Sequence, residues 1–552
     1  MVTLAQYPRQ PRPVGAAGRR PPGRQPLTSI DARIARRLTV RLTEITQHMD
    51  GARHISGPAD AEVRSLQHDS RQVGPGALFI AVRGFATDGH RFVGDAIARS
   101  AVALLVENEP APGQVSDGVA VYAVPDSRRA LADAAAAFHG FPAKRLKVVG
   151  ITGTKGKTTT TYLASAVLEA AGLSTGLLSS VEFKIGDRFE VNGSQFTTPE
   201  SLEVQALLAR LVEAGAEYAV VESTSHGLKL DRLRNVEYDV GVFTNLYADH
   251  MDFHPDMDDY LRSKALLFRW LDESEDKGIP KTAILNADDP NSNYLREQTA
   301  KARLITYGVK ALDADVTAPG AELSDRGSRF KLLTPAGSIW IDSPLPGLFN
   351  VYNSLAAAAV GFSQGLSLDA IAAGLHSVSG VPGRVERIES GQPFGVIVDY
   401  AHMPESLTSV LQALRPLTIG RLITVFGCGG DRDPGRRTGM GKAAAENSDF
   451  TVICNDNPRT EDPVQIIQAI ADAMLAAGRH EGKDFVRIPD RRDAMRFAFE
   501  NARAGDVVLV AGKGHEPYLI VGHEYLPWAD REVARQVLGQ LGWQAASAAV
   551  HA

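Results

Sequence analysis

The stretch VVGITGTKGKTTTTY, residues 148–162, constrains the fold more than any other part of the chain. It opens with apolar, mostly β-branched residues, which suit a buried strand. Gly153-Thr154-Lys155-Gly156-Lys157-Thr158 follows, and then a helix-like run. The backbone N–H groups of such a turn can all point at one anion, and the helix adds the positive end of its dipole. Gly153 and Gly156 allow a phosphate to approach closely. Lys157 can neutralise the outer phosphates, and Thr158 can place its hydroxyl on Mg²⁺. The spacing departs from the strict phosphate-loop pattern, because Ile151 stands five residues before Gly156 where a glycine is usual. Nucleotide binding follows from this unit. The reaction does not, since pumps, kinases, switches and ligases all use such loops.

The remainder of the chain predicts an α/β architecture, because strands alternate with helical stretches through most of it. A length of 552 residues exceeds one core and predicts several domains. A net charge of −6 argues against broad nucleic-acid binding. The two cysteines, Cys428 and Cys454, lie in apolar strand-like runs, so a reducing cytoplasm is the expected setting. No apolar stretch approaches the roughly 20 residues that span a bilayer. Residues 1–27 are rich in Pro, Arg and Gly without an acid, and are expected to be a disordered tail. Residues 28–145 form a first unit and 146–380 a second, which contains the phosphate loop. In the second, IWIDSPLPGLFNVYNSLAAAAVGFSQG reads as a loop entering an Ala-rich helix. Residues 381–552 form a third unit with four buried strands, FGVIVDYAH, RLITVFGCGG, DFTVICNDN and DVVLVAGKG, each ending in polar residues. Ligands of open parallel sheets collect beyond those strand ends.

Several acids and basic groups then stand out. Glu222 ends the strand in VVESTSHGLKLDRL and could hold Mg²⁺, or simply cap a helix. In TNLYADHMDFHPDMDDYLRSKALLF, the alternating His250, Asp252, His254 and Asp256 resemble a transition-metal site, although an acid-rich helix entrance has the same composition. Lys264 lies on the helix that follows, where a lysine is ordinarily solvated. VICNDNPRTEDP places Asp456, Asn457, Pro458 and Arg459 after a buried strand. Locally this is a turn, but the planar fork of Arg459 also suits a carboxylate.

The shortened loop GTKGKTT resembles that of the Mur ligase superfamily, which includes the folylpolyglutamate synthetases and joins an amine to a carboxylate through an acyl phosphate. The resemblance extends from about residue 65 to about residue 528. It implies three domains: an N-terminal α/β UDP-binding domain, a central phosphate-loop ATPase domain and a C-terminal Rossmann-like domain for the amino acid. It implies that ATP is held by Gly153, Thr154, Lys155, Gly156, Lys157, Thr158 and Thr159, with Asn353, Arg384 and Asp399. Lys157, Glu222, His250 and Lys264 are the implied catalytic set. Lys264 is implied to carry a CO₂-derived carbamate that binds a second Mg²⁺ with His250, while Thr158 and Glu222 serve the first.

LQHDSRQVGPGALFIAVRGFATDGH matches the uridine-binding domain, with His68, Ser70, Phe85, Ala86 and Thr87 at UDP-contact positions. Phe196, Thr197 and Thr198, with Thr224 and Arg232, match positions that hold the sugar-peptide. The DNPR form, with Arg432, Gly512 and Glu516, resembles family members that add meso-diaminopimelate to UDP-N-acetylmuramoyl-L-alanyl-D-glutamate in peptidoglycan precursor synthesis. Its alternatives are an L-lysine-adding ligase and, from another class, a phosphate-loop ATPase switch or motor. A monomer is expected, with a hinge near residues 379–383.

Overall fold

A computed structural model describes residues 39–84, 87–111, 113–194, 197–251, 253–324 and 326–543. The expected tail, Phe85, Ala86, Phe196 and Asp252 lie outside the described residues.

Three larger sheets follow one another along the described residues, beside two two-stranded ones, giving the expected mixed α/β architecture. The first has five strands, with spatial order Arg53–Ser56, Ala120–Ala123, Ala101–Val106, Ala77–Ile80 and Ser65–Gln67. The helix Ser127–Phe138 packs its alanine-rich face on it, capped by Asp126, whose side chain accepts from the N–H groups of Arg128 and Arg129. A short oxygen-bearing side chain at that position satisfies donors that the first helical turn leaves open.

The second sheet has 12 strands. At its centre Lys147–Thr152 lies between Tyr218–Glu222 and Val240–Phe243, all parallel. Successive side chains of a strand face opposite ways, so Val149 and Ile151 enter one core and Val148 the other. The helix Lys157–Ala170 covers the first face with Leu348–Ser363 and Leu368–Ser377. Close packing there depends on Gly374, where a Cβ would stand 2.5 Å from the Val167 Cα. Met257–Glu273, 17 residues long and capped by Asp256, covers the other face.

One expectation is corrected here. Residues 339–343 of the expected loop belong to a strand, Gly337–Ser343, paired antiparallel with Gly327–Thr334 at the sheet's edge. Ile341 and Ser343 are buried while Trp340 and Asp342 face outward, so the two-residue alternation was present but masked by an exposed tryptophan.

The third sheet has six strands, in the order Glu386–Arg387, Gly395–Asp399, Val507–Ala511, Leu422–Phe426, Phe450–Ile453 and Phe485–Arg487. Its four long strands are those expected, and they are mutually parallel. Cys428 and Cys454 are buried free thiols at two of the strand ends. No helix among the described residues is long and apolar enough to cross a membrane.

Candidate active site

The phosphate loop leaves the central strand with its backbone already shaped. Gly153 has φ +144°, and a Cβ there would stand 1.9 Å from Thr244 Oγ1. Gly156, with φ +83°, caps the following helix, and a Cβ on it would meet Asn353 Oδ1 at 2.3 Å. Both glycines are therefore required by crowding as well as by conformation. Thr244 and Asn245, at the end of the neighbouring strand, pin the loop. Thr154 N–H donates to the Asn245 carbonyl (2.8 Å), and Lys155 N–H to Asn245 Oδ1 (2.9 Å). The Lys155 carbonyl accepts from Thr244 Oγ1 (2.7 Å). Tyr260 reaches Thr154 Oγ1 at 3.2 Å. These supporting residues were missed in the sequence; for Thr244 and Asn245 the only local signal was the polar run TN straight after a buried strand.

Glu222 pairs with Ile151 in register, so its carboxylate stands beside the loop. Thr158 Oγ1 donates to Glu222 Oε2 at 3.0 Å, and Ser180 N–H donates to the same oxygen at 2.9 Å. Ser180 Oγ lies 3.1 Å from Thr158 Oγ1. Two hydroxyls and a carboxylate form a cluster of hard oxygen donors, the chemistry that Mg²⁺ prefers. Ser180 was not anticipated.

Two lysines lie under this loop. Lys157 Nζ donates to the carbonyls of Gly153 (3.1 Å) and Thr154 (2.9 Å). Burial pushes its pKa down, and Glu222 opposes that. Lys264, expected on general grounds to be solvated, is 1% exposed. Its Nζ donates to the Gly153 carbonyl at 2.7 Å and lies 4.1 Å from the centre of the Tyr260 ring. Burial, then the charge of Lys157, hold the Lys264 amine well below its ordinary value of 10.5, against a smaller pull from Asp249.

Of the alternating residues, His250, His254 and Asp256 make other contacts. His254 is buried, with Nδ1 on Asp259 (2.6 Å) and Nε2 on Ser225 Oγ (3.0 Å). Asp256 caps the helix by accepting from Asp259 N–H. His250, with φ +58°, is partly exposed and sits edge-on to His226, their ring centres 4.9 Å apart. Among the described residues no group of three or more His, Cys, Asp or Glu side chains is arranged to hold a metal ion. Among the described residues, then, the side chains alone do not build a transition-metal site.

Toward the first sheet, Thr198 and Thr224 share a hydrogen bond of 2.7 Å between their hydroxyls. Arg232 Nη1 donates to the Thr198 carbonyl (3.2 Å), and its guanidinium pairs with Glu200. Thr197 and Thr198 line a small cleft with Ser179, Phe183 and Glu222. His68 is desolvated by burial, which pushes its imidazole down, with Glu200, Arg128 and Arg232 among the charges acting on it. Ser70 is buried in a short 3₁₀ turn capped by Asp69, and Thr87 is exposed on a loop. Arg234 Nε also reaches Asp133 of the first unit at 3.0 Å.

In the third sheet, the loops after three neighbouring strands close on one another. Arg459, with φ +51°, donates from Nη1 to the Gly430 carbonyl (2.7 Å), which fixes the plane of its fork. Arg432 is exposed on the same loop as Gly430. Asn457 Nδ2 donates to Glu516 Oε2 at 2.9 Å. A Cβ on Gly512, whose φ is +113°, would stand 2.7 Å from Asp456 Oδ2. The sequence reading passed over Lys513, which is fully buried between Asn457 and Glu516. A lone lysine between two glycines after a buried strand was its signal. Pro458 is buried, and its carbonyl accepts from Glu461 N–H.

The nucleotide residues placed outside the loop behave differently from one another. Asn353 lies against the loop, with Thr160 Oγ1 donating to its Oδ1 (3.3 Å). Arg384 stacks over Tyr400 at 5.0 Å. Asp399 is buried, and both its oxygens accept backbone N–H groups, from Val385 (2.7 Å) and Ala401 (2.8 Å). Burial pushes its carboxyl upward, opposed by Arg384. Lys155 spans the gap between units: its Nζ donates to Ser409 Oγ of the third unit at 2.6 Å.

An anion-binding loop flanked by two further α/β units, one of them with a buried polar cluster at its strand ends, defines a three-part nucleotide-binding enzyme architecture. Family comparison gives that class a name. Residues 62–139 match the Mur ligase family, catalytic domain; residues 151–361 the Mur ligase middle domain; and residues 383–514 the Mur ligase, glutamate ligase domain. The chain is 44% identical over 511 residues to the UDP-N-acetylmuramyl-tripeptide synthetase of Roseiflexus sp. (strain RS-1), covering 91% of this chain and 100% of that one. It is 46% identical over 484 residues to the UDP-N-acetylmuramoyl-L-alanyl-D-glutamate--2,6-diaminopimelate ligase of Geobacillus thermodenitrificans (strain NG80-2), covering 87% and 96%. A solved structure of a ligase with that same name superposes with a TM-score of 0.64 at 29% identity, covering 91% and 99%. The chain belongs to the Mur ligase family.

Proposed function

We propose that this protein is an ATP-dependent amide ligase that adds meso-diaminopimelate to UDP-N-acetylmuramoyl-L-alanyl-D-glutamate through an acyl phosphate. The observation that carries this reading is the bond from Lys155 to Ser409, which sets the phosphate loop against the unit that contains the Arg459 cluster. A switch or motor has no use for that cluster. The relatives' names favour diaminopimelate over lysine as the amine.

In this reading residues 28–145 bind UDP through His68, Ser70, Phe85, Ala86 and Thr87. Residues 146–380 bind ATP and the peptide end, and residues 381–552 bind the amine. Thr197, Thr198, Thr224 and Arg232, with Phe196, hold the sugar-peptide beside Glu222. Gly153 to Thr159 hold the phosphates, and Asn353, Arg384 and Asp399 border the rest of the nucleotide. Thr158 and Glu222 would hold one Mg²⁺. Lys264, once carbamylated, would hold a second with His250. Bound Mg²⁺ supplies charge neutralisation to the transferring phosphoryl group.

Lys157 stabilises the charge that develops as the glutamate γ-carboxylate takes the γ-phosphoryl group. The neutral amine of diaminopimelate then attacks the acyl carbon, and phosphate leaves. Arg459 orients the distal carboxylate and Glu516 the distal ammonium. Lysine lacks that carboxylate, so it would leave the Arg459 fork unpaired. Closure about residues 379–383 excludes water from the acyl phosphate.

The test is phosphate release from ATP with the UDP-dipeptide and, in parallel, meso-diaminopimelate or L-lysine. Release that requires both the dipeptide and diaminopimelate is expected. Release without any amine or UDP-sugar would return the chain to the ATPase class.

A further inference from the structure

We infer that Lys513 is a positioning residue that sets the amine specificity of the third unit, by fixing which way the Asn457 amide points. The inference rests on the amine-binding reading above and adds a residue that the reading does not use.

Lys513 is 0% exposed. Its Nζ donates to Asn457 Oδ1 (2.9 Å) and to Glu516 Oε2 (2.9 Å), and lies 3.9 Å from Asp456 Oδ1. The loop cannot easily move to relax this. Gly514 has φ +53°, and a Cβ on it would lie 2.7 Å from the Tyr400 side chain.

An amide has one acceptor end and one donor end. Asn457 Oδ1 takes two donors, Lys513 Nζ and the Ile520 N–H (2.9 Å). Its Nδ2 gives one hydrogen to Glu516 Oε2. Both acceptor sites of the amide are thus filled from inside the protein, and what Asn457 can still offer a ligand is an N–H. Glu516 Oε2 is likewise held by Lys513 and Asn457, which leaves Oε1 to accept. A donor beside an acceptor matches a ligand end that carries a carboxylate next to an ammonium. That is the distal end of a diamino dicarboxylic acid. Without the ammonium of Lys513 the Asn457 oxygen keeps only the Ile520 N–H, so its direction is held less firmly, and the carboxylate of Glu516 loses its buried counter-charge.

The experiment measures initial rates of phosphate release by the full-length protein, varying ATP, UDP-dipeptide and meso-diaminopimelate in turn. K513M is expected to raise the KM for diaminopimelate at least tenfold. KM for ATP and for the dipeptide should stay within twofold, and the preference for diaminopimelate over L-lysine should fall. Because Lys513 acts through Asn457, the double variant K513M/N457A should be no worse than N457A within twofold. An equal rise in all three KM values, or additive effects in the double variant, would overturn the role of Lys513 and leave the amine assignment intact. Wild-type turnover with L-lysine but not diaminopimelate would remove the amine assignment, and this inference with it.

Should K513M fail to fold, N457D supplies the second reading. It keeps an acceptor for Lys513 and Ile520 but removes the donor to Glu516. The same amine-selective rise in KM is expected, and an unchanged KM overturns the inference.

Discussion

Lys157 and Lys264 share one acceptor: the Nζ atoms of both donate to the Gly153 carbonyl, at 3.1 and 2.7 Å. Two ammonium groups on one oxygen, out of water, repel each other. Burial lowers both, but Glu222 and Asp249 oppose it at Lys157 and only Asp249 does at Lys264, which is held well below its usual range. A neutral amine is the form that combines with CO₂, which is the form that the proposed carbamate on Lys264 requires.

That chemistry predicts a dependence on dissolved CO₂. Turnover in CO₂-free buffer should fall at least tenfold and recover on adding bicarbonate. K264M and K264R should be inactive at any bicarbonate concentration, since a guanidinium stays protonated. Wild-type rates indifferent to bicarbonate would count against the carbamate.

Glu222 and Thr158 predict a metal dependence that separates a ligand from a structural acid. Glu222→Gln keeps an oxygen for Thr158 and Ser180 but loses the charge. The Mg²⁺ concentration for half-maximal rate should rise about tenfold, since a neutral amide is a weaker ligand for a hard cation. Lys157→Ala should lower kcat by about 10²–10³-fold, the usual scale for loss of a group that stabilises transition-state charge. An unaltered Mg²⁺ titration for the Gln variant would assign Glu222 to architecture alone.

Arg459 predicts a defect confined to one substrate. Arg459→Ala should raise the KM for meso-diaminopimelate about 100-fold, the loss of a charge-assisted pair of roughly 3 kcal/mol. Arg459→Lys should recover less than tenfold of this, because an ammonium cannot reproduce a planar fork. Steady-state kinetics with the amine varied would decide it, and an intact amine KM would move the carboxylate elsewhere.

His139 predicts how stability varies with acidity. Burial at the end of the helix Ser127–Phe138 pushes its imidazole from 6.5 down to about 4. Between those values the unfolded chain binds the proton and the folded chain does not. Stability therefore rises with pH across the window and is lost as pH falls through it, by at most about 3 kcal/mol from this group. His139→Phe should flatten that part of the profile, which urea melts at pH 4.5 and pH 7 would measure. Equal losses in both proteins would place the acid sensitivity in other groups.

Much of the fold was legible because its signals are local. The four long strands of the third sheet are continuous apolar runs ending in polar residues, and each was found where expected. The phosphate loop was legible for the same reason: Gly153, Gly156 and Lys157 lie within five residues of one another. The edge strand Gly337–Ser343 was hidden because edge position, rather than composition, lets Trp340 face outward. Ser180, Asn245 and Lys513 were missed because each does its work on a residue far away in sequence. No window around Lys513 contains Asn457, 56 residues earlier.

The sequence by itself determined the three α/β units, the anion loop and the family pattern, since strand period, glycine punctuation and helix caps act over a few neighbouring residues. Only the tertiary structure decided the states of the charged groups. Lys264 reads as a solvated helix lysine until Lys157, Tyr260 and the Gly153 carbonyl surround it, and Asn457 has no fixed polarity until Lys513 and Ile520 supply its donors. Burial and long-range partners set the cost of a charge and the direction of a hydrogen bond, and both are properties of the packed chain.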